Sequence, residues 1–413
     1  MARENPPQPH KMKIEKLFVY PIKALRAVSL PSATVTTHGF PHDRRFMLLH
    51  VQRNKENQIT GYKNIHVAHY PLSVRFFPEL DLDGGLMKVA FRPSEDGKEG
   101  EKDLEIPLNP YTGDLETVEV EMHKSPVKCF LMPDRYSQWF SECYGLEVKL
   151  AFLGADYRPI RMSSTLSSTN EQSNRSSSWL QTASSYLPSF LNPQTSSAKE
   201  KGITFADCAP YLLTSTTSLH SLPPPANTAE DTILKFRPNI LISDAAEAWE
   251  EDFWGELTIT PSSSPNNGTK PASKTVIHCI HNCGRCKSIN IDYPTGNPET
   301  PNSSLLKSMQ ATRRVDPGMK YSPIFGRYSF LDAGSEGNEI SVGDEVVVSK
   351  RLEGRTEFGE PIASIQRSCA DDDDRLGWAI HSPQVQDEDV VMDAILKFFE
   401  FQSEVVVISF HIP

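Results

Sequence analysis

Residues 279–296 read CIHNCGRCKSINIDYPTG and hold three of the seven cysteines of this 413-residue chain. Cys279, Cys283 and Cys286 follow the spacing C-x3-C-x2-C, and two histidines stand beside them. Three thiolates in one loop can hold an iron–sulfur cluster, and three cysteines with a histidine can hold zinc. A third possibility uses only one of them, as a single thiolate ligand to another metal. The rest of the sequence has to show which of these three kinds of metal site is present.

Composition and charge exclude several classes of protein. The formal net charge of −11 at pH 7 argues against a nucleic-acid-binding protein, because binding phosphates requires a basic surface. An odd and low number of cysteines does not indicate a disulfide framework. No run approaches the roughly 18 apolar residues of a membrane helix, and no secretory signal peptide is visible. We therefore expect a soluble, cytoplasmic protein without a membrane anchor.

The first half of the chain divides into a folded region and a polar one. Residues 13–153 consist mainly of short apolar runs broken by Pro, Gly and His, which predicts β structure. Within them, DRYSQWFSECYG predicts a helix that begins near Asp134 and ends at Gly145. Residues 162–200 are dominated by Ser, Thr, Asn and Gln, so they are predicted to be a disordered linker or insertion.

The second half contains another β-rich region. In residues 202–350, the runs FRPNILIS, FWGELTI and KTVIHCI are predicted strands, and ISVGDEVVVS has the strand–turn–strand pattern of small barrels. In residues 351–413 the pattern weakens. A helix at DVVMDAILKFFEF and a strand at EVVVISFHI are predicted there, but nothing attaches this tail to either region.

The position of the cysteine segment disfavours both three-cysteine interpretations. Radical enzymes with the C-x3-C-x2-C spacing carry it after the first strand of a βα barrel, whereas here too little chain follows for such a barrel. Structural zinc sites usually combine two separate ligand pairs, and the sequence has no second Cys pair. His278, next to Cys279 in a strand, would point to the opposite face. Both interpretations stay as minor alternatives.

The segment GRCKSINIDYPTG resembles the signature of the MOSC domain family, which binds molybdenum cofactor. Arg285 and Cys286 match its Arg-Cys pair, and Asp292 follows at the expected distance, although Pro294 is displaced by one position in the Asp-Pro-x-Thr-Gly turn. The stretches TFADCAPYLLTSTTSL, KFRPNILIS, and PIFGRYSF with ISVGDEVVV resemble other MOSC segments. Upstream, VYPIKALRAVSL and GFPHDRRFMLL resemble the β-barrel domain that precedes it. Because these blocks occur in the family's order, the resemblance is specific.

The resemblance implies a mainly β fold with some α structure. A MOSC N-terminal β-barrel domain would span residues 13–153 and a MOSC β-barrel domain residues 202–350. The implied cofactor is molybdenum cofactor (molybdopterin), with Cys286 as metal ligand and catalytic residue. Like the amidoxime-reducing members of the family, the protein would be an oxidoreductase that reduces N-hydroxylated compounds with electrons from a cytochrome b5 and its flavin reductase. Association with mitochondria is a further implication.

The resemblance also assigns seven further side chains to the cofactor. They share a cationic, hydroxyl or amide donor that suits a phosphate and a pterin ring. The seven are Lys23, Arg44, Thr214, Ser215, Arg237, Asn239 and Arg285. For Asp207 and Asp292, a role in turns or caps is the preferred interpretation.

Some positions depart from the family's pattern. Ala24 stands where the family usually has a Ser, and HVAHYP replaces its Thr-x-Arg-Gln-x-Pro stretch. His66 and His69 would then act as donors instead, or the pocket takes a different substrate. Cys279 and Cys283 lie outside the signature and are expected to be ordinary buried or loop cysteines. A non-catalytic cofactor carrier or a sulfur-handling module is the alternative function.

Overall fold

A computed structural model describes residues 11–93, 101–123, 125–160, 202–223, 228–262, 273–300 and 304–359. The Ser-rich segment 162–200 and the predicted helix and strand of the tail lie outside these residues. Within the described residues, no helix is long and apolar enough to span a membrane.

Strands dominate the described residues, so the expected mainly β fold with some helix is confirmed. The strands are β1 (Met12–Val19), β2 (Val28–Leu30), β3 (Ser32–Thr34), β4 (Phe46–Arg53), β5 (Ile59–Asn64), β6 (Phe76–Asp81), β7 (Leu86–Phe91), β8 (Lys102–Pro107), β9 (Thr117–Met122), β10 (Ser125–Leu131), β11 (Val148–Phe152), β12 (Tyr211–Ser215), β13 (Ile240–Ser243), β14 (Trp254–Thr260), β15 (Thr275–Gly284), β16 (Ile291–Asp292), β17 (Asn297–Pro298), β18 (Ile324–Leu331), β19 (Glu339–Ser341) and β20 (Glu345–Arg351). The helices are α1 (Asp134–Tyr144), α2 (Thr216–His220), α3 (Ala229–Phe236) and α4 (Leu305–Thr312).

Seven strands form a closed barrel in the order β1-β13-β12-β18-β15-β14-β20, and β20 pairs back to β1. Only β12 and β13 pair in parallel. Apolar side chains such as Leu17, Leu213, Leu257 and Ile277 fill the interior. Closure leaves no unpaired sheet edge. The first strand of the chain therefore completes a barrel whose other strands all follow residue 202.

A second body comprises the remaining large sheets. Its antiparallel five-stranded sheet has the order β5-β4-β11-β10-β9, and a three-stranded sheet has the order β6-β7-β8. Helix α1 packs between them through Phe140, which contacts Phe76. As predicted, α1 begins at Asp134 and ends at Gly145, whose left-handed backbone (φ 69°) closes the helix.

Buried contacts join the two bodies. Tyr293, which follows the cysteine segment, packs into the same apolar cluster as Phe76 and Phe140. Arg158 is 1% exposed and its guanidinium donates to the carbonyls of Met122 (3.1 Å) and Asp207 (2.8 Å). The seam between the bodies is thus a packed interface, and it contains the candidate site.

The prediction that FRPNILIS is a single strand is wrong in its first half. Phe236 ends α3, Arg237 adopts a left-handed backbone (φ 53°) as its C-cap, and the strand begins only at Ile240. Pro238 explains the break, because proline cannot continue a helix and excludes the right-handed conformation from the residue before it. Arg237 therefore lies at the seam between the two bodies, and not in a sheet.

Candidate functional site

Cys286 lies just beyond the end of β15. Its backbone is extended (φ −115°, ψ −175°), and its Sγ is 3.2 Å from the hydroxyl of Ser288. Among the six cysteines that the structure describes, it alone is exposed. The preceding residue, Arg285, donates its backbone N–H to the carbonyl of Pro323 at 2.8 Å and so fixes the segment. The geometry presents one accessible thiol.

The three cysteines do not converge on one ion. Cys279 packs in the core of the closed barrel and Cys283 is buried, whereas Cys286 is exposed. No group of three or more His, Cys, Asp or Glu side chains in the described residues could hold a metal. The cluster and zinc interpretations therefore gain no support, and Cys279 and Cys283 are buried cysteines as expected.

Arg285 holds Cys286 in place through its side chain. Its Nε donates to the carbonyl of Phe325 at 2.8 Å, and its Nη1 donates to the carbonyl of Phe236 at 2.7 Å. The guanidinium is buried and lies 5.2 Å from the Phe236 ring. Arg285 thus connects the thiol-bearing segment to the end of α3, one residue before Arg237, and its bonds go to the protein's own backbone.

Two cations lie over one aromatic ring at the seam. The guanidinium of Arg237 is 4.3 Å from the centre of the Tyr20 ring, and that of Arg44 is 4.7 Å from it. Arg237 donates from Nη1 to the carbonyl of Leu25 at 2.8 Å, but its buried Nη2 has no hydrogen-bond partner. Such a buried donor is available for an anionic ligand.

Arg44 is already paired. Burial disfavours its charge, but the buried carboxylate of Asp43 beside it more than offsets this, so the pKa of Arg44 lies above its ordinary value. Its Nη1 also lies 3.3 Å from Oδ1 of Asn239. The Asn239 side chain in turn accepts from the N–H of Leu212 (3.2 Å) and donates to the carbonyl of Phe18 (3.2 Å). Asn239 therefore ties β1 to β12, and its amide already has protein partners.

Thr214 and Ser215 end β12 beside Arg285. Thr214 is fully buried and its Oγ1 has no hydrogen-bond partner, while Ser215 caps α2. Gly326 (φ 87°) allows β18 to approach: a Cβ there would lie 2.9 Å from Cγ2 of Thr214 and 3.1 Å from Nη2 of Arg285. Only glycine combines this conformation with such close contact. The unpartnered hydroxyl thus lies near the group that holds Cys286.

Lys23 forms an ion pair with Asp207. Its Nζ also donates to the carbonyl of Phe205 at 3.1 Å, and Nε2 of His123 is 3.5 Å from the same Asp207 oxygen. Burial lowers the pKa of Lys23 and Asp207 offsets only part of this effect. Burial would raise the pKa of Asp207, but Lys23 and His123 together hold it well below its usual range. The carboxylate nevertheless stays 54% exposed.

The two aspartates therefore differ. The turn interpretation is confirmed for Asp292, whose Oδ2 accepts the N–H of Thr295 at 3.1 Å. Asp207 is instead the partner of a buried lysine, so the turn or cap interpretation is wrong for it. The reason is tertiary, because Lys23 lies 184 residues away in the sequence.

Sequence reasoning missed Tyr20, Asp43 and Gly326. Asp43 could have been found, because an acidic residue directly before two arginines in HDRR suggests a local ion pair. Tyr20 and Gly326 gave no comparable signal, since their role depends on which strands become neighbours. His66 and His69 form a contact of their own, with ring nitrogens 3.0 Å apart.

Two family models match the chain. Residues 11–147 match the MOSC N-terminal beta barrel domain, and residues 200–347 match the MOSC domain. Together the matches span both bodies of the structure and include every residue that the sequence assigned to the site.

Curated relatives agree with these matches. The chain is 24% identical over 328 residues to mitochondrial amidoxime-reducing component 1 of Danio rerio, across 76% of this chain and 79% of the relative. It is 30% identical to mitochondrial amidoxime reducing component 2 of Rattus norvegicus, across 38% of this chain and 41% of the relative. It is 25% identical to molybdenum cofactor sulfurase of Aspergillus clavatus, across 79% of this chain but only 39% of the relative.

The matched ranges cover most of both bodies, although β1, which lies in the N-terminal match, is a strand of the closed barrel. The matching relatives are amidoxime-reducing components and molybdenum cofactor sulfurases. The chain therefore belongs to the MOSC family and combines a MOSC N-terminal β-barrel domain with a MOSC domain.

Proposed function

We propose that this protein binds molybdenum cofactor at the seam between its two bodies and reduces N-hydroxylated compounds there. The observation that carries the proposal is Cys286, the one exposed thiol among the described cysteines. Arg285 holds it near two buried donors without partners, Nη2 of Arg237 and Oγ1 of Thr214. A buried polar group without a partner costs about 1–3 kcal/mol. A ligand rich in acceptor oxygens, such as a phosphorylated pterin, would satisfy both groups.

The residues present fit this cofactor. Cys286 offers a soft thiolate ligand for the metal, and Arg237 and Arg44 offer guanidinium groups, which suit phosphate oxygens. When bound, the cofactor supplies a two-electron redox centre. Arg285 positions the thiol, and Ser215 and Thr214 offer hydroxyl groups. Lys23 is paired with Asp207, so its proposed phosphate contact requires that ion pair to open.

The proposed reaction requires a source of electrons and protons. Reduction of R–NHOH to R–NH2 and water consumes two electrons and two protons. The sequence has no G-x-G-x-x-G fingerprint for a dinucleotide, so we propose a separate electron donor, a cytochrome b5 with its flavin reductase. We propose a cytoplasmic location. Attachment to mitochondria, as the relatives' names suggest, is the alternative.

Metal analysis of anaerobically purified protein tests the proposed ligand. We expect about one molybdenum per chain in the wild type and in Cys283→Ala, and its loss in Cys286→Ala. Cys283→Ala is the matched control because it removes a buried thiol three residues away. Iron with labile sulfide, or zinc that depends on Cys279 or Cys283, would refute the proposal.

A second variant tests the anion contact. Arg237→Gly removes the guanidinium while the left-handed backbone (φ 53°) stays favourable for glycine. A hydrogen bond to a charged group contributes about 1.5–3 kcal/mol, so molybdenum retention through gel filtration should fall strongly. Equal molybdenum content in Arg237→Gly and wild type would remove Arg237 from the site.

A cofactor carrier or sulfur-handling protein is the second candidate. The match to molybdenum cofactor sulfurases favours it, although the chain spans only 39% of the Aspergillus protein. Molybdenum-loaded protein, supplied with a reductase, a cytochrome b5 and benzamidoxime, separates the two candidates. Formation of benzamidine supports the reductase, and stoichiometric molybdenum without turnover supports the carrier.

A further inference from the structure

Cys286 is followed by one turn of 3-10 helix, Lys287–Asn290, and α4 lies against this turn. The side-chain oxygen of Asn290 accepts the backbone N–H of Leu306, in the first turn of α4, at 2.9 Å. The next residue of α4, Lys307, is exposed. The helix α4 is therefore one flank of the segment that carries the thiol.

The loop between α4 and β18 forms the second flank. The backbone N–H of Arg285 donates to the carbonyl of Pro323, in this loop, at 2.8 Å. A Cβ placed on Gly284 would lie 2.6 Å from Sδ of Met319, so the loop also packs against the backbone two residues before Cys286. The thiol thus leaves the barrel between α4 and this loop, and a partner that approaches it meets the exposed side chains of both.

The two flanks and the segment between them carry positive charge. Residues 284–300 and 304–323 contain six Lys and Arg but only three Asp and Glu, although the whole chain has a formal net charge of −11. Four of these cations are exposed, and we call them the basic rim: Lys287, Lys307, Arg314 and Lys320. The charge beside the thiol is therefore opposite in sign to that of the chain as a whole.

The three carboxylates of the same segments have other roles. Glu299 pairs with the buried Lys235. Asp316 is 2% exposed, and its Oδ1 accepts the backbone N–H of Phe358 at 3.0 Å. Asp292 accepts hydrogen bonds within its own turn. The basic rim consequently presents a net positive charge to solvent.

An aromatic side chain adjoins the basic rim. Tyr321 follows Lys320 directly and is 46% exposed. Its backbone carbonyl accepts a hydrogen bond from Nε2 of Gln310 at 3.2 Å, which ties the loop to α4. Tyrosine is enriched at protein interfaces and is among the residues that contribute most to binding. The surface thus combines charges that steer a partner with a side chain that anchors it.

We propose that the basic rim and Tyr321 form the docking surface for the electron donor, a carrier protein whose redox centre is surrounded by carboxylates. This inference rests on the proposed function, because R–NHOH + 2 e⁻ + 2 H⁺ → R–NH2 + H2O consumes two electrons that come from outside the chain. A carrier of one electron docks twice in each turnover and leaves oxidised each time. Electron transfer slows steeply with distance, so the donor has to approach where Cys286 is exposed, and the basic rim lies there.

The position of the basic rim favours a carrier protein over an anionic membrane. A membrane lying on both flanks would cover the thiol for as long as the protein stays bound. A carrier protein that docks briefly leaves between electron transfers, and the substrate then has access. Encounters between redox proteins bury little surface, and charge complementarity gives them speed and a strong dependence on salt.

Calorimetric titration with the soluble haem domain of a cytochrome b5 measures docking without turnover. The affinity of the molybdenum-loaded wild type should fall as salt is added, because salt screens exposed charges. The double variant Lys307→Glu, Lys320→Glu leaves the cysteine segment intact and should bind about tenfold more weakly at low ionic strength. Amidation of the carboxylates of the haem domain should weaken binding to the wild type in the same way.

The double variant Lys55→Glu, Lys274→Glu is the matched control. It makes the same change in net charge at two exposed lysines outside the basic rim. Lys55 lies in the hairpin between β4 and β5, and Lys274 precedes the first residue of β15, at the opposite end of that strand from Cys286. The control should bind the haem domain as the wild type does.

Turnover with two reductants separates docking from chemistry. With the reductase and the cytochrome b5, Lys307→Glu, Lys320→Glu should have a kcat/KM for the cytochrome about tenfold below wild type at low ionic strength. Added salt should narrow this difference. With reduced methyl viologen at high ionic strength, which needs no docking surface, the variant and the wild type should reduce benzamidoxime at the same rate.

The outcomes separate the docking surface from the proposed function. An active wild type whose affinity for the haem domain survives Lys307→Glu, Lys320→Glu refutes the docking surface alone. Binding of the wild type to vesicles that contain phosphatidylserine, lost in this variant while its carrier binding is unchanged, assigns the basic rim to a membrane and also refutes it. Molybdenum-loaded wild type that reduces benzamidoxime with neither reductant refutes the proposed function and, with it, this use of the basic rim.

Discussion

At the scale of single residues, the site is built on unusual backbone conformations. Ala24, Arg44, His123 and Arg237 are all non-glycine residues with positive φ, and all lie at the seam. Each such conformation costs about 1–3 kcal/mol and persists only where its surroundings hold it. Here the surroundings include hydrogen bonds between segments distant in sequence, such as the one from Arg237 to the carbonyl of Leu25. This strain directs side chains into the seam instead of into sheets.

Glu251 gives a residue-scale prediction of pH-dependent stability. Burial raises its pKa to about 7, although Ser218 donates a hydrogen bond to its Oε2 at 2.7 Å. The folded protein therefore holds this proton at a pH where the unfolded chain, with a pKa near 4.5, has lost it. Stability from this group is full below the unfolded pKa and is lost as pH rises through 7.

Glu251→Gln should remove this dependence. The free energy of unfolding of the variant, relative to wild type, should rise by about 2–3 kcal/mol between pH 5 and pH 8. Urea titrations at pH 5 and pH 8 measure the free energies of unfolding. Because the variant is compared with wild type at the same pH, the contributions of other titrating groups cancel. A constant difference across this range would contradict a raised pKa for Glu251.

At the scale of elements, α3 is the part that positions the site. The carbonyls of its last turn accept hydrogen bonds from other elements: Tyr293 OH donates to the carbonyl of Leu234 at 2.9 Å, and Arg285 donates to that of Phe236 at 2.7 Å. Such donors satisfy carbonyls that a helix end leaves free, and cations there interact favourably with the helix dipole. The helix end therefore determines where Arg237 and Arg285 lie.

A buried ion pair secures this helix. The side chain of Lys235 is fully buried and pairs with Glu299, which is 10% exposed and follows β17. Lys235→Met should destabilise the protein by about 3–5 kcal/mol, because it leaves a buried carboxylate without a partner. The double variant Lys235→Met, Glu299→Gln should recover a large part of this loss. Urea unfolding measures both, and an unchanged single variant would show that the pair is not important for stability.

At the scale of the whole molecule, the barrel of the MOSC domain is not continuous in sequence. β1 pairs with β13 and with β20, so the first strand of the chain closes a barrel formed otherwise by residues after 202. Backbone groups of β13 and β20 would be unpaired without it, and unpaired edges promote aggregation. The two matched domains are therefore covalently and structurally interlocked.

This interlocking predicts the behaviour of a fragment. Residues 202–359 expressed alone should be insoluble or lack cooperative unfolding, because the barrel misses one strand in seven. The same fragment preceded by residues 11–31 through a flexible linker should regain a cooperative thermal transition. A cooperatively folded fragment without the first strand would contradict the role of β1 in closure.

The sequence by itself determined the local and family-level features. Alternating apolar residues predicted the β content, Asp134 and Gly145 bounded α1, and the Arg285–Cys286 signature led to the MOSC family. These features depend on neighbours close in sequence or on a motif, so one chain is enough to identify them. For the same reason, only family resemblance could distinguish Cys286, as the one functional cysteine, from Cys279 and Cys283.

Only the tertiary structure decided how the site is assembled. The pairing of Lys23 with Asp207, the contact of Arg237 with the Tyr20 ring, and the entry of β1 into the closed barrel all join segments more than 180 residues apart. A charged residue's role depends on which partner desolvates and neutralises it, and that partner is fixed by strand order. The sequence thus specified which groups were available, and barrel closure decided which of them meet.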